Sequence, residues 1–267
     1  MSLYVEHVEA PEVPEVPGAA RPPLVLAHGF TQTGRLWGPF AGLVGRRRHL
    51  ASVDLPGHGA SAGVRATLDE GGDLLAAAAA AVAAVAGSGE PGDLLGYSLG
   101  ARFALHAALR HPDVVRRLVL IGGTAGIDDP AARAARRARD EATADDLERT
   151  GDVGGFLRRW VGGPMWASLP EAAAGLGERR RNTAAGLASS LRLAGTGTQE
   201  PLWDALGSLA PPVLVIAGAV DVRFAVAGQR LARAVPAGVL SLVPGAGHAA
   251  HLERPDLAAA VVERFLD

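Results

Sequence analysis

The chain has 267 residues, 48% hydrophobic and 20% charged, with a formal net charge of −2; that is globular composition, and it lacks the basic field that gathers nucleic-acid phosphates. Cysteine is absent and all 26 basic residues are arginine, which excludes thiol catalysis, disulfides, zinc–thiolate sites, lysine Schiff bases and P-loop lysines, and fits a reducing compartment. One large α/β domain carrying an inserted subdomain is expected at this length.

Met1–Ala20 lacks the basic start and apolar run of about 7–15 residues that mark an export signal, so a cytoplasmic location is expected. Pro11–Gly18, PEVPEVPG, has too many prolines for a helix or central strand and reads as a loop or edge connection, with the ordered core starting beside it. Short apolar runs then recur at Leu24–Ala27, Ala51–Asp54, Leu94–Gly96, Leu118–Ile121, Val213–Ala217 and Val239–Val243. Such runs suit strands covered on both faces, which predicts a mostly parallel sheet wound with helices. Leu74–Ala86 is apolar but alanine-dominated and shorter than the roughly 20 residues of a membrane span, so it reads as a buried helix. The spacing predicts a helix over Leu99–Arg110, halted by His111 and Pro112, and Pro255 opens the last helix. From Thr124 to Pro201 no strand-like run occurs, and Ala, Arg and Leu fall at helical spacing. The expected layout is therefore a core of residues 1–123 and 201–267 with a helical lid over 124–200. The lid's eleven arginines are matched by eleven acidic residues, so it is no basic patch. No internal repeat of solenoid period is present.

Gly96-Tyr97-Ser98-Leu99-Gly100 matches G-x-S-x-G between a buried strand and a helix, the setting of the nucleophile elbow in the α/β-hydrolase fold. A serine hydroxyl is a poor nucleophile or base at neutral pH and needs an imidazole to take its proton and a carboxylate to orient that imidazole. In this fold both follow the serine, acid first, each on a loop after a strand. Asp221 follows Val213–Ala217 through Gly218-Ala219-Val220, and His248 follows Val239–Val243 through Pro244-Gly245-Ala246-Gly247. The plainer readings are a helix cap for Asp221 and a loop histidine for His248. Asp204 and Asp256 are weaker acids because neither directly follows a strand. His251 lies three residues from His248, but no H-E-x-x-H and no third ligand accompany it, so a packing or surface role is expected and no metal site. His28-Gly29-Phe30 ends the first strong strand, which makes the Phe30 and Leu99 amides the expected oxyanion donors. Asp54-Leu55-Pro56-Gly57-His58-Gly59 reads as a structural turn. With no G-x-G-x-x-G in context, no cofactor is expected.

The fold hosts esterases, lactonases, carbon–carbon hydrolases, peroxidases and lyases and does not choose among them. Further motifs do: HGFTQTGRLW from His28, DLPGHGAS from Asp54, GYSLGAR from Gly96, RAARRARD from Arg133, FLRRWVGGPMWASLP from Phe156, RRRNTAAGLASSLRLAGTGTQ from Arg179, and DVRF and AGHAAHLERP around the acid and histidine. Through these the chain resembles the 2-succinyl-6-hydroxy-2,4-cyclohexadiene-1-carboxylate synthase (MenH) family over nearly its whole length after Arg21. The lid motifs are the most particular to that family. The resemblance implies elimination of pyruvate from a cyclohexene bearing succinyl and enolpyruvyl groups, a small polycarboxylate of the kind that arginine's planar fork holds well. Arg102, four residues after Ser98 on one helix, lies one turn along on the serine's side. Arg136, Trp160 and Arg179 match lid positions that bind substrate in the family, and Tyr97 matches the residue beside the nucleophile. For the lid arginines a surface role, or replacement by Arg133, Arg137, Arg180 or Arg181, stays open. For Trp160 a core role does too, as does a role for Tyr97 mainly through its backbone. Ala101 departs from a position that is often glycine in the family. Two other functions also stay open: a serine hydrolase acting on a small acidic ester, lactone or diketone, and a noncatalytic ligand-binding member of the fold. Whether Ser98 acts as base or covalent nucleophile, and the oligomeric state, are not set by these residues.

Overall fold

Among the described residues seven strands form a single sheet in the order β1-β3-β2-β4-β5-β6-β7: β1 Tyr4–Val8, β2 Arg21–Ala27, β3 Arg48–Asp54, β4 Gly92–Tyr97, β5 Val115–Ile121, β6 Val213–Gly218 and β7 Gly238–Val243. The computed structural model describes residues 1–8 and 21–267, and the expected Pro11–Gly18 loop lies outside them. Every strand pair is parallel except β1 with β3.

All six apolar runs of the sequence fall inside strands, but the ends of the sheet differ from expectation. β1 was not expected, because Tyr-Val-Glu-His-Val holds no continuous apolar run and is only half buried, as an edge strand is. β7 is the opposite edge, with Val239 and Leu242 substantially exposed, so its apolar run does not mean cover on both faces. In the centre, β4 buries a charge. Asp93 is fully enclosed and accepts from Arg116 Nε at 2.9 Å, with Arg48 Nη1 3.4 Å away.

The helices are α1 Pro39–Val44, α2 Leu68–Val85, α3 Leu99–Arg110, α4 Pro130–Thr150, α5 Val153–Val161, α6 Leu176–Arg179, α7 Ala184–Ala194, α8 Val222–Ala234, α9 Ala250–Glu253 and α10 Pro255–Leu266. α2 begins earlier than its apolar run because Thr67 and Glu70 form a capping box, and it buries one face rather than the whole helix, leaving Val85 exposed. Apolar clusters lie on both faces of the sheet, one centred on Leu94 and Phe103, the other on Leu95, Tyr97 and Phe40. Between Ile121 and Val213 the described chain forms helices and turns only. This stretch has a small core of its own, in which Ala144, Leu147, Leu157 and Leu187 pack together, with Phe30 and Trp160 at its border. No helix of the described residues is long and apolar enough to cross a membrane.

Candidate active site

Three loops at the carboxyl ends of β4, β6 and β7 bring Ser98, Asp221 and His248 together. His248 Nδ1 lies 3.0 Å from Asp221 Oδ2, and its Nε2 lies 3.1 Å from Ser98 Oγ. With Nδ1–H donating to the carboxylate, Nε2 is left to accept the serine proton. Asp221 is also the N-cap of α8, its Oδ1 accepting from the Phe224 amide at 3.2 Å; the cap and the imidazole partner are one carboxylate. Burial alone would raise its pKa, but the hydrogen bonds from His248 and Phe224 outweigh that and hold the carboxyl below its ordinary range. The His248 ring is enclosed by Phe224, Tyr97 and Trp166, with centroids 4.3, 5.5 and 5.7 Å away.

The elbow geometry follows from the pentapeptide. Ser98 has φ +51°, a left-handed conformation that side chains disfavour, and its amide donates to Ile121 O at 2.8 Å. α3 leaves so sharply that a Cβ at Gly96 would overlap the carbonyl of Gly100, and one at Gly100 would overlap that of Ala27. Only glycine permits that approach. Among the described residues neither the Phe30 nor the Leu99 amide meets an acceptor, and both residues border the cavity beside Ser98.

The Phe30 loop carries a second strained residue. Thr31 has φ +68°, unusual for a β-branched side chain, and three side chains hold it there. His58 Nε2 accepts from its amide at 3.3 Å, Asn182 Nδ2 donates to its carbonyl at 2.7 Å, and Arg179 Nη1 donates to its hydroxyl. Asp54 serves the same region, accepting from the Gly34 and Ala60 amides, each at 2.7 Å. His28 and His58 are fully buried, and that burial lowers their pKa to about 4 and about 3, so both are neutral. The structural role expected of the Asp54–Gly59 turn therefore has a specific object: it shapes the loop that presents the Phe30 amide.

A cavity of about 380 Å³ opens over Ser98. Phe30, Tyr97, Ser98, Leu99, Arg102, Arg136, Trp160 and His248 all line it. Arg102 is buried, with Nη1 donating to Ala194 O at 2.7 Å; burial, and then Arg136, lowers its pKa, yet a guanidinium starts so high that it stays charged. Arg136 Nε donates to Asp140 at 2.9 Å. Trp160 stacks against Phe156 and meets Phe30 edge-on. Arg179 is not on the cavity wall. It is fully buried behind it, its Nε donating to Ala174 O at 2.8 Å and its guanidinium 5.5 Å from the Trp166 ring centre, and its Nη2 has no partner among the described residues. Arg133, Arg137, Arg180 and Arg181 do not line the cavity either. His251 is buried against Tyr97, Trp37 and Phe40, a packing role. Asp204 and Asp256 are exposed, and Ala101 is core. Among the described residues no cluster fit to hold a metal occurs.

Sequence reasoning did not single out Trp166, Phe224, Arg223 and Arg230, which also line the cavity. The first three stand inside motifs already noticed, MWASLP and DVRF. Their proximity to the serine depends on how α5 and α8 turn, which no local spacing records.

The match to known proteins is extensive. Residues 24–261 match the model of the alpha/beta hydrolase family. The 2-succinyl-6-hydroxy-2,4-cyclohexadiene-1-carboxylate synthase of Serratia proteamaculans is 35% identical over 252 residues, covering 93% of this chain and 94% of that protein. A Bacillus subtilis relative named for the same synthase is 35% identical over 178 residues, where the match spans 65% of each chain, just under two thirds. The structure of MenH from S. aureus superposes with a TM-score of 0.87 at 26% identity, covering 98% of this chain and 97% of that one.

Proposed function

The chain belongs to the alpha/beta hydrolase family and, within it, to the 2-succinyl-6-hydroxy-2,4-cyclohexadiene-1-carboxylate synthases, and from that membership we propose a lyase of menaquinone biosynthesis that uses Ser98, His248 and Asp221 as its reacting group. Its substrate is 2-succinyl-5-enolpyruvyl-6-hydroxy-3-cyclohexene-1-carboxylate. Its products are pyruvate and the conjugated cyclohexadiene, and no water is consumed.

The observation that carries the reading is one cavity in which a serine bonded to imidazole is accompanied by a buried guanidinium that forms no ion pair among the described residues. A plain esterase for neutral substrates has no use for Arg102 there, whereas a polycarboxylate does. In the proposed reaction Ser98 Oγ removes the ring proton next to the succinyl ketone while its own proton moves to His248 Nε2. Asp221 stabilises the imidazolium that results. The Phe30 and Leu99 amides stabilise the negative charge that develops on the substrate's oxygen. The carbon–oxygen bond to the enolpyruvyl group then breaks, the ring double bonds become conjugated, and the proton on His248 passes to the departing enolate. Arg102 and Arg136 hold carboxylates, with Trp160 and Tyr97 forming apolar walls. Arg179 acts from behind the wall by fixing Thr31 and Trp166.

Incubation with the cyclohexene, following pyruvate release and diene absorbance together with simple esters as controls, tests the reading. Equal amounts of both products, lost in Ser98→Ala, are expected. Ester hydrolysis without diene formation would identify a serine hydrolase, and binding without turnover a noncatalytic member.

A further inference from the structure

Four arginines line the cavity, and they are not equivalent. Arg136 is tied to Asp140 at 2.9 Å. Arg230 pairs with Asp128 and lies 3.6 Å above the Trp203 ring centre. Arg102 is sunk in the inner wall with one nitrogen on the Ala194 carbonyl. Arg223 is exposed at the mouth and has no ion pair among the described residues.

Its backbone position is unusually close to the reacting groups. Arg223 is two residues after Asp221 and one before Phe224, whose ring sits 4.3 Å from that of His248. Its guanidinium carbon lies 5.6 Å from the Phe224 ring centre, a contact that favours a cation over the ring face. A carboxylate entering the cavity therefore meets one buried guanidinium and one exposed guanidinium, neither in an ion pair among the described residues. A substrate with three carboxylates, on the ring, the succinyl arm and the enolpyruvyl group, needs more than one such partner. Arg102 and Arg136 supply two such partners on the reading above, and Arg230 already carries Asp128.

We infer that Arg223 anchors one substrate carboxylate at the cavity mouth and so selects polyanions over singly charged substrates. This rests on the polycarboxylate lyase reading above. Arg223, after the hydrogen bonds from His248 and Phe224, also acts to lower the pKa of Asp221, so a purely electrostatic role on the acid must be told apart from binding.

The test uses Arg223→Gln, Arg223→Lys and, as a control on the same helix but off the cavity, Arg233→Gln. With the cyclohexene as substrate, Arg223→Gln is expected to raise KM by roughly ten- to a hundredfold, the worth of a charge-assisted contact, with kcat within about threefold of wild type. Arg223→Lys should recover part of the loss, Arg233→Gln should change neither constant, and the KM ratio should shrink at high salt. A KM within twofold of wild type overturns the inference, as does a lowered kcat with shifted pH profile at unchanged KM, which would assign Arg223 to tuning Asp221. Absence of turnover by the wild type would instead sink the lyase reading. The binding claim is then decided by titrating propane-1,2,3-tricarboxylate against tryptophan fluorescence: a Kd weakened in Arg223→Gln supports it, and equal Kd values overturn it.

Discussion

Asn182, just beyond α6, donates through Nδ2 to the carbonyl of Thr31 at 2.7 Å and accepts through Oδ1 from the Gly59 amide at 3.0 Å. One side chain thus ties the helical insertion to both core loops that shape the Phe30 amide. Asn182→Ala leaves a buried carbonyl and amide without partners and is expected to destabilise the protein by about 1–3 kcal/mol, lowering Tm by several degrees. Thr31 then loses one of the three groups holding its strained backbone, so kcat is expected to fall roughly tenfold or more below 30 °C, where the variant stays folded. A stability loss with unchanged kcat would separate Asn182 from the loop's geometry.

The backbones of Gly57 and Gly186 touch where the Asp54–Gly59 turn meets α7. A Cβ on either would overlap the other's carbonyl, and Gly57 has φ +80°. Gly57→Ala is expected to cost at least about 2 kcal/mol, from left-handed strain and the displaced helix together. Gly186→Ala, inside a helix where alanine is otherwise favoured, should destabilise despite its better propensity. Urea unfolding of the two variants measures both signs.

Acid stability follows from three buried histidines. Burial first, then His248 and Arg179, lower the His251 pKa to about 3, and burial likewise brings His28 to about 4 and His58 to about 3. Each is neutral when folded and takes a proton when unfolded below about 6.5, so the unfolded state binds more protons and stability falls as pH drops from there towards 3–4. Both His251 ring nitrogens lack a partner among the described residues, and its surroundings are aromatic. His251→Phe is expected to keep stability at pH 7.5 and to flatten the loss below pH 6.5 by up to about 1.4 kcal/mol per pH unit. Tm measured from pH 7.5 to 4 checks this; an unchanged slope would refute it.

Asp221→Asn keeps a side-chain oxygen to cap α8 but removes the charge that orients and stabilises the His248 imidazolium. Turnover is expected to fall by about 10²–10⁴-fold with little change in KM. Because the folded carboxyl lies below its ordinary pKa, its stabilising contribution is present above the unfolded carboxylate value and disappears as pH falls through the depressed one. Wild type and variant should therefore differ in stability at neutral pH and converge in acid. Parallel Tm curves would contradict that.

Much of this molecule is written locally. The buried strands, the start of α3 at the elbow and the order serine, aspartate, histidine are legible because apolar runs, paired glycines and strand-exit loops act over a few neighbouring residues. The edge strand β1 was not: Tyr-Val-Glu-His-Val carries no continuous apolar run, and only pairing with β3 makes it a strand. The insertion shows the limit most clearly. Eleven arginines share one composition and one helical spacing, yet Arg136 reaches the cavity, Arg179 is buried behind it braced on Thr31, and Arg192 binds Glu141, Asp145 and Glu148 at the surface. A guanidinium's role depends on which carboxylates, carbonyls and rings surround it. Those come from segments distant in sequence, and only the packing of the helices against the sheet brings them into reach.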